Sequence, residues 1–126
     1  MSTTTDPLDR SQIELLLSLD EGVGDALAEI VEEYRTASWQ GRDDLRRELR
    51  AGDHTALAHT AHALKGASAN LGAKDLARVC GELEMHARQV ELVGSDEFAD
   101  GDALLERFEV EFTRVQVALM LLVPEG

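Results

Sequence analysis

The stretch from Asp53 to Glu84 reads DHTALAHTAHALKGASANLGAKDLARVCGELE, and it decides the fold. Asp53 is a good N-cap, because its carboxylate can accept from the unpaired amides of a first helical turn. Leu57, Ala61, Leu64, Ser68 and Leu71 then recur at intervals of three or four, marking one face of a helix that Gly72 ends. A second helix starts almost at once, with Leu76, Val79, Cys80, Leu83, Ala87 and Val90 on its stripe. So short a connection forces the two helices to run antiparallel, as a hairpin.

Each residue advances about 100 degrees around a helix. Measured from His62, the residues Leu57, Leu64, Ala67 and Leu71 fall on the far, core-facing side, so the histidine is expected to point outward. Thr55, Ala58, Gly66 and Ala69 share its direction within about 40 degrees. All four are small, so another protein should be able to approach the imidazole closely. Lys65, one of two lysines in the chain, lies one turn along, where its ammonium can reach whatever is attached to the ring. Gly66 costs about 1 kcal/mol in mid-helix relative to alanine. Its outward angle points to steric access beside His62 rather than to close helix packing.

His62 precedes the turn at Gly72 by roughly 15 Å of helix and Glu84 follows it by roughly 18 Å, so the two should sit at nearly the same level. Glu84 adjoins the stripe positions Cys80 and Leu83, at the seam with the preceding helix. There it can accept a hydrogen bond from one ring nitrogen, which would hold a proton on Nδ1 and leave Nε2 as the nucleophile.

Working outward, Ser11-Gln12-Ile13-Glu14 has the spacing of a helix start, followed by Leu16 and Leu17 in phase, and this short helix should end near Asp20–Gly22. From Val23 a single stripe of Leu27, Ile30, Val31, Tyr34, Ser38, Arg42, Leu45 and Leu49 predicts one long helix to about Arg50. Gly41 is the place for a bend or break. Val93–Glu97 reads as a loop, and Leu105, Phe108, Phe112, Val115, Leu119 and Leu122 carry a last helix. No strand-like alternation occurs. The expected fold is all-α, an up-and-down four-helix bundle with a short additional N-terminal helix. Residues 1–7 read as a disordered lead-in and 8–126 as one domain.

Composition supports this and narrows the partners. Only five residues are aromatic while Leu (19) and Ala (16) dominate, which favours helix over sheet. With 12 basic against 25 acidic side chains the net charge is −13, the wrong sign for tracking nucleic acid or anionic lipid. The longest apolar run, Val117–Val123, is far shorter than the about 20 residues that span a bilayer. Cys80 alone allows no internal disulfide and no export signal is seen, so a cytoplasmic location is expected.

His62-Ala63-Leu64-Lys65-Gly66-Ala67-Ser68, Leu71-Gly72-Ala73, Leu76, Cys80 and Leu83-Glu84 resemble the motif of the histidine phosphotransfer (HPt) domain family, and the helix ending in Arg50-Ala51-Gly52-Asp53 fits as well. The resemblance implies a helical bundle whose exposed histidine accepts a phosphoryl group from a receiver-domain aspartate and passes it to another receiver. By position His62 corresponds to the phosphoryl acceptor, Lys65 to the cation near the phosphoryl oxygens, and Gly66 to the residue that leaves room for the donor. Glu84 falls where family members often have glutamine or another polar residue that orients the ring. A glutamate would hold the ring more firmly but would repel a dianionic phosphoryl group if it swung toward it.

The chain is then expected to be a monomeric phosphoryl carrier of a two-component phosphorelay rather than a kinase, since it has no glycine-rich phosphate loop or Walker-type lysine for ATP. Its partners would be response-regulator receiver domains and a hybrid histidine kinase. It would have no cofactor of its own, and Mg2+ would come with the receiver. The alternative is a catalytically silent helical adaptor that binds a receiver or kinase without being phosphorylated. His54, His59, His62 and His86 raise a metal site, but no familiar ligand spacing completes it. Cys80 reads as a core residue, Ser68 as a packing residue that back-bonds to its own helix, and Trp39 as packing. Ala58, Ala69 and Leu15 are candidates for the docking surface.

Overall fold

The computed structural model describes residues 7–18, 25–94 and 101–122. Of the expected lead-in over residues 1–7 all but Pro7, the end of the first helix near Asp20–Gly22, and residues 95–97 of the expected loop lie outside them, while Val93, expected in that loop, closes the fourth helix. Five helices follow in order: α1 (Arg10–Ser18), α2 (Asp25–Ala51), α3 (His54–Asn70), α4 (Lys74–Val93) and α5 (Gly101–Leu122). Among the described residues all regular structure is helical.

Polar pairs across each seam give the directions of the chain. Tyr34 meets Ser68 near one end of the α2–α3 seam and Glu48 meets Thr60 near the other. His62 meets Glu84, and Thr55 donates to Glu91, between α3 and α4. Arg107 of α5 donates both terminal nitrogens to Glu82 of α4. Gln116 of α5 donates to Ser38 of α2, and Arg42 of α2 to Glu109 of α5. Each neighbouring pair is therefore antiparallel, and the ring of four closes as the up-and-down bundle the periodicity predicts. Leu45, Leu57, Leu83, Phe108, Phe112 and Leu119 fill its centre, all completely or almost completely buried. Trp39, 45% exposed, lays its ring edge-on against Phe112 with 4.8 Å between centroids, and Arg42 stacks over both rings.

Four details differ from the sequence reading. The cap of α1 is Asp9, whose carboxylate accepts from the amides of Ser11 and Gln12; Ser11 lies inside the helix. Helix α2 runs unbroken through Gly41, because that glycine serves packing: a Cβ there would fall 2.8 Å from Leu64 Cδ2 and 3.0 Å from its Cγ. Ser68 is fully buried and bonds the Tyr34 hydroxyl at 2.8 Å instead of relying on its own helix. Ala58 is fully buried, so it belongs to the core and not to a docking surface. Its angle from His62 is small, but it lies on the side that α4 covers.

The α3–α4 turn fixes the register on which the site depends. Asp53 caps α3 through the Ala56 amide, as expected. Gly72 adopts φ of 83°, a left-handed backbone that glycine enters without a Cβ penalty. The Ala73 amide returns to the Ser68 carbonyl at 2.8 Å, closing the turn. Helix α1 seats on this corner: the Asp9 amide donates to the Gly72 carbonyl, Gln12 to the Asn70 carbonyl, and Lys74 pairs with the Asp9 carboxylate.

Gly41→Ala separates the two roles considered for that glycine. If it only broke helical propensity, alanine would stabilise the protein by about 1 kcal/mol. Because the added methyl collides with Leu64, a net loss of about 1–2 kcal/mol is expected in chemical denaturation.

Candidate functional site

The hairpin brings His62 of α3 opposite Glu84 of α4, as the level arithmetic requires. The His62 side chain is 64% exposed. Its Nδ1 lies 3.1 Å from Glu84 Oε2 and 3.2 Å from Oε1. An ionised carboxylate can only accept, so Nδ1 carries the proton in this contact and Nε2 is the ring nitrogen directed away from Glu84.

Glu84 is the most confined charge here, its side chain only 11% exposed. Lys65 Nζ donates to Oε1 at 2.9 Å, and Arg88 donates Nε at 3.0 Å and Nη2 at 2.9 Å to Oε2. Burial pushes the Glu84 carboxyl up, but the hydrogen bonds from Lys65, Arg88 and His62 outweigh it and hold the group down at about 2. The carboxylate is therefore ionised at any ordinary pH, a poor base and a strong acceptor.

The Lys65 stem passes Gly81 of α4 on its way to Glu84. A Cβ at Gly81 would touch Lys65 Cδ at 3.4 Å. Lys65 thus begins from a paired position on Glu84, not from one aimed solely at the outer ring nitrogen. Gly66 is exposed, and a Cβ built on it meets nothing within 4 Å, so no packing inside the chain demands glycine there. Thr55 and Ala69 share the exposed face with His62.

All four residues singled out in the sequence are thereby placed on one small surface. Arg88 was missed. Its signal was present as the glutamate-then-arginine spacing of four on one helix, an arrangement that favours pairing. The metal reading gains no support: among the described residues no group of three or more His, Cys, Asp or Glu side chains could hold an ion. Cys80 is completely buried, and burial pushes its thiol up to about 12, where it is inert.

The model of the Hpt domain matches residues 25–118, the span from the start of α2 to near the end of α5. The chain belongs to the Hpt domain family. Among solved structures, histidine-containing phosphotransfer protein B (HptB) from Pseudomonas aeruginosa PAO1 is similar, with a TM-score of 0.76 and 36% sequence identity. The alignment covers 94% of this chain and 95% of that one. A search of curated proteins finds no match. Helix α1 lies outside the segment matched by the Hpt model, which agrees with its place as an addition seated on the corner of the bundle. No helix among the described residues is long and apolar enough to cross a membrane.

The Glu84 cluster gives a pH signature. Its carboxyl is lowered from 4.5 to about 2 on folding, so the stability it contributes is fully present above about pH 4.5 and is lost as the pH falls toward 2. Denaturation of the parent and of Glu84→Gln across pH 2–6 should show the parent losing stability more steeply with acid over that window.

Proposed function

We propose that this Hpt-family protein is a phosphorelay intermediate in which His62 carries the phosphoryl group. The observation that supports this best is an exposed imidazole whose Nδ1 proton is engaged by an ionised carboxylate, leaving Nε2 on the open side of the helix.

In this reading, Nε2 attacks the phosphorus of an aspartyl phosphate on a receiver domain. The Nε2–P bond forms as the P–O bond to the aspartate breaks, and the carboxylate departs with the bonding electrons. Transfer onward reverses these steps with a second receiver. Such chemistry chiefly requires positioning and charge compensation. His62 is positioned by Glu84, Lys65 stands within one turn to meet the phosphoryl oxygens, and Gly66 keeps the adjacent surface low. Hpt-family proteins carry no cofactor of their own; the Mg2+ that balances the receiver's acidic pocket would arrive with the receiver.

The partners are accordingly receiver domains, with a hybrid histidine kinase as the source of phosphoryl groups, and the protein works among them as a cytoplasmic monomer. Exposed Ala69 and Leu15 remain candidates for the docking surface. Family membership and the likeness to HptB favour the relay over a silent adaptor.

The test is incubation with a phosphorylated receiver. The parent should acquire an acid-labile, base-stable label, and His62→Gln should acquire none while keeping its helical signal and its binding to the receiver. Unchanged labelling of His62→Gln would refute the assignment. Lys65→Ala should fold normally and slow transfer about tenfold or more; a globally unfolded variant would make Lys65 structural instead.

A further inference from the structure

Helix α4 sorts its charges by direction. Its four acids are all turned toward neighbouring helices: Asp75 lies 3.9 Å from Arg114 of α5, Glu82 accepts from Arg107 of α5, Glu84 accepts from His62 and Lys65 of α3, and Glu91 accepts from Thr55 of α3. The outer line of the helix is Lys74, Arg78, Gly81, Met85, Arg88 and Leu92, spaced by four and three in alternation and therefore on one face. It holds every lysine and arginine of α4 and no acid. All of its members are exposed except the half-buried Gly81, and it runs about 27 Å along the helix.

Three ion pairs on this line are oriented alike. Lys74 with Asp9, Arg78 with Asp75 and Arg88 with Glu84 each set a cation at least half exposed over an acid no more than a quarter exposed. Each pair is nearly neutral as a whole, but its positive end faces solvent. An acidic surface approaching α4 meets those positive ends first, although the chain as a whole carries −13.

We infer that the outer line of α4 is a receiver-selecting surface, which speeds the encounter with receiver domains whose surface beside the phosphorylated aspartate is itself acidic. The inference rests on the reading of His62 as the phosphoryl carrier and adds the surface by which one receiver is told from another. The line is continuous with the site. Arg88 belongs to it and bonds the same Glu84 that holds His62, and the Lys65 stem passes its member Gly81. Gly81 keeps the middle of the line low, and the exposed, flexible Met85 beyond it can adapt to surfaces of different shape. A receiver whose aspartate meets His62 can lay its flank over Gly81, Met85 and Arg88, and Arg78 extends that contact about 15 Å from Arg88. Because each cation already answers one carboxylate of its own chain, the line suits dispersed carboxylates on a protein better than a polyanion, and it changes the rate of encounter more than the lifetime of the complex.

The test measures transfer from a phosphorylated receiver with an acidic flank to the whole protein, at low and high salt. Arg78→Glu should lower the second-order rate about tenfold at low salt, with the loss shrinking as salt screens it. The maximal rate at saturating receiver, and labelling of His62 by phosphoramidate, should not change. Met85→Glu should act in the same direction without breaking an ion pair, so it decides the question if Arg78→Glu fails to fold. Arg47→Glu on α2 is the control, since Arg47 matches Arg78 in exposure and also pairs with an aspartate three residues before it. Its effect should be much smaller. An unchanged low-salt rate in either folded α4 variant would overturn the inference, and so would equal slowing by Arg47→Glu or a loss that high salt leaves undiminished. If the parent takes no label on His62 from phosphoramidate or from any receiver, the functional reading falls instead, and that result is seen before any variant is compared.

Discussion

A carboxylate with about a tenth of its side chain in water must be compensated or it will take up a proton, and at Glu84 the compensation organises the site. Lys65 and His62 each contribute one donor and Arg88 two, and these together exceed the cost of burial. An anion here therefore does what a neutral side chain could not. It fixes two long, flexible cations and one ring by a single point, and keeps those side chains from wandering over the surface. The entropy lost in ordering Lys65 and Arg88 is offset by charge-assisted bonds to a carboxylate that is itself largely buried.

That point of attachment exists only because two helices meet in the right register. Gly72 permits the left-handed turn, and the return of the Ala73 amide to Ser68 sets where α4 begins. Sliding α4 along α3 by one residue would move Glu84 by about 1.5 Å and turn it by about 100 degrees, enough to lose both His62 and Lys65. Gly41 contributes from the opposite side of α3, letting α2 approach Leu64 closely. Packing behind α3 and pairing in front of it hold the same helix, so His62 stands on a rigid platform rather than on a loop.

Most of this was legible in the residues, for physical reasons. Helical periodicity of Leu and Ala gave the bundle, and the angle of His62 against Leu57, Leu64 and Leu71 gave its exposure. The brevity of the Leu71-Gly72-Ala73 connection gave the His62–Glu84 level. What escaped depends on neighbours that one helix cannot reveal. Ala58 shares the direction of His62 on α3, yet α4 covers it, because a helix at a seam is buried over an arc and not along a line. Gly41 looked like a weakness in α2 because its reason lies on α3. Ser68 bonds across to Tyr34, a partner far away in sequence. Arg88 was overlooked since exposed pairs of this spacing on a helix are ordinarily worth little; it matters here because Glu84 is buried.

The acidic balance of the chain can then be weighed against the two cations that stand beside His62. Receiver domains present acidic pockets, and a protein of net charge −13 repels such a pocket over most of its surface. Lys65 and Arg88 sit beside His62 with roughly half of each side chain exposed. These two cations ease that repulsion beside His62, the proposed phosphoryl carrier. Repulsion elsewhere disfavours encounters that would seat a receiver wrongly, while the local cations are too few to bind it for long. Brief, correctly oriented contact suits a carrier that must release one partner before meeting the next.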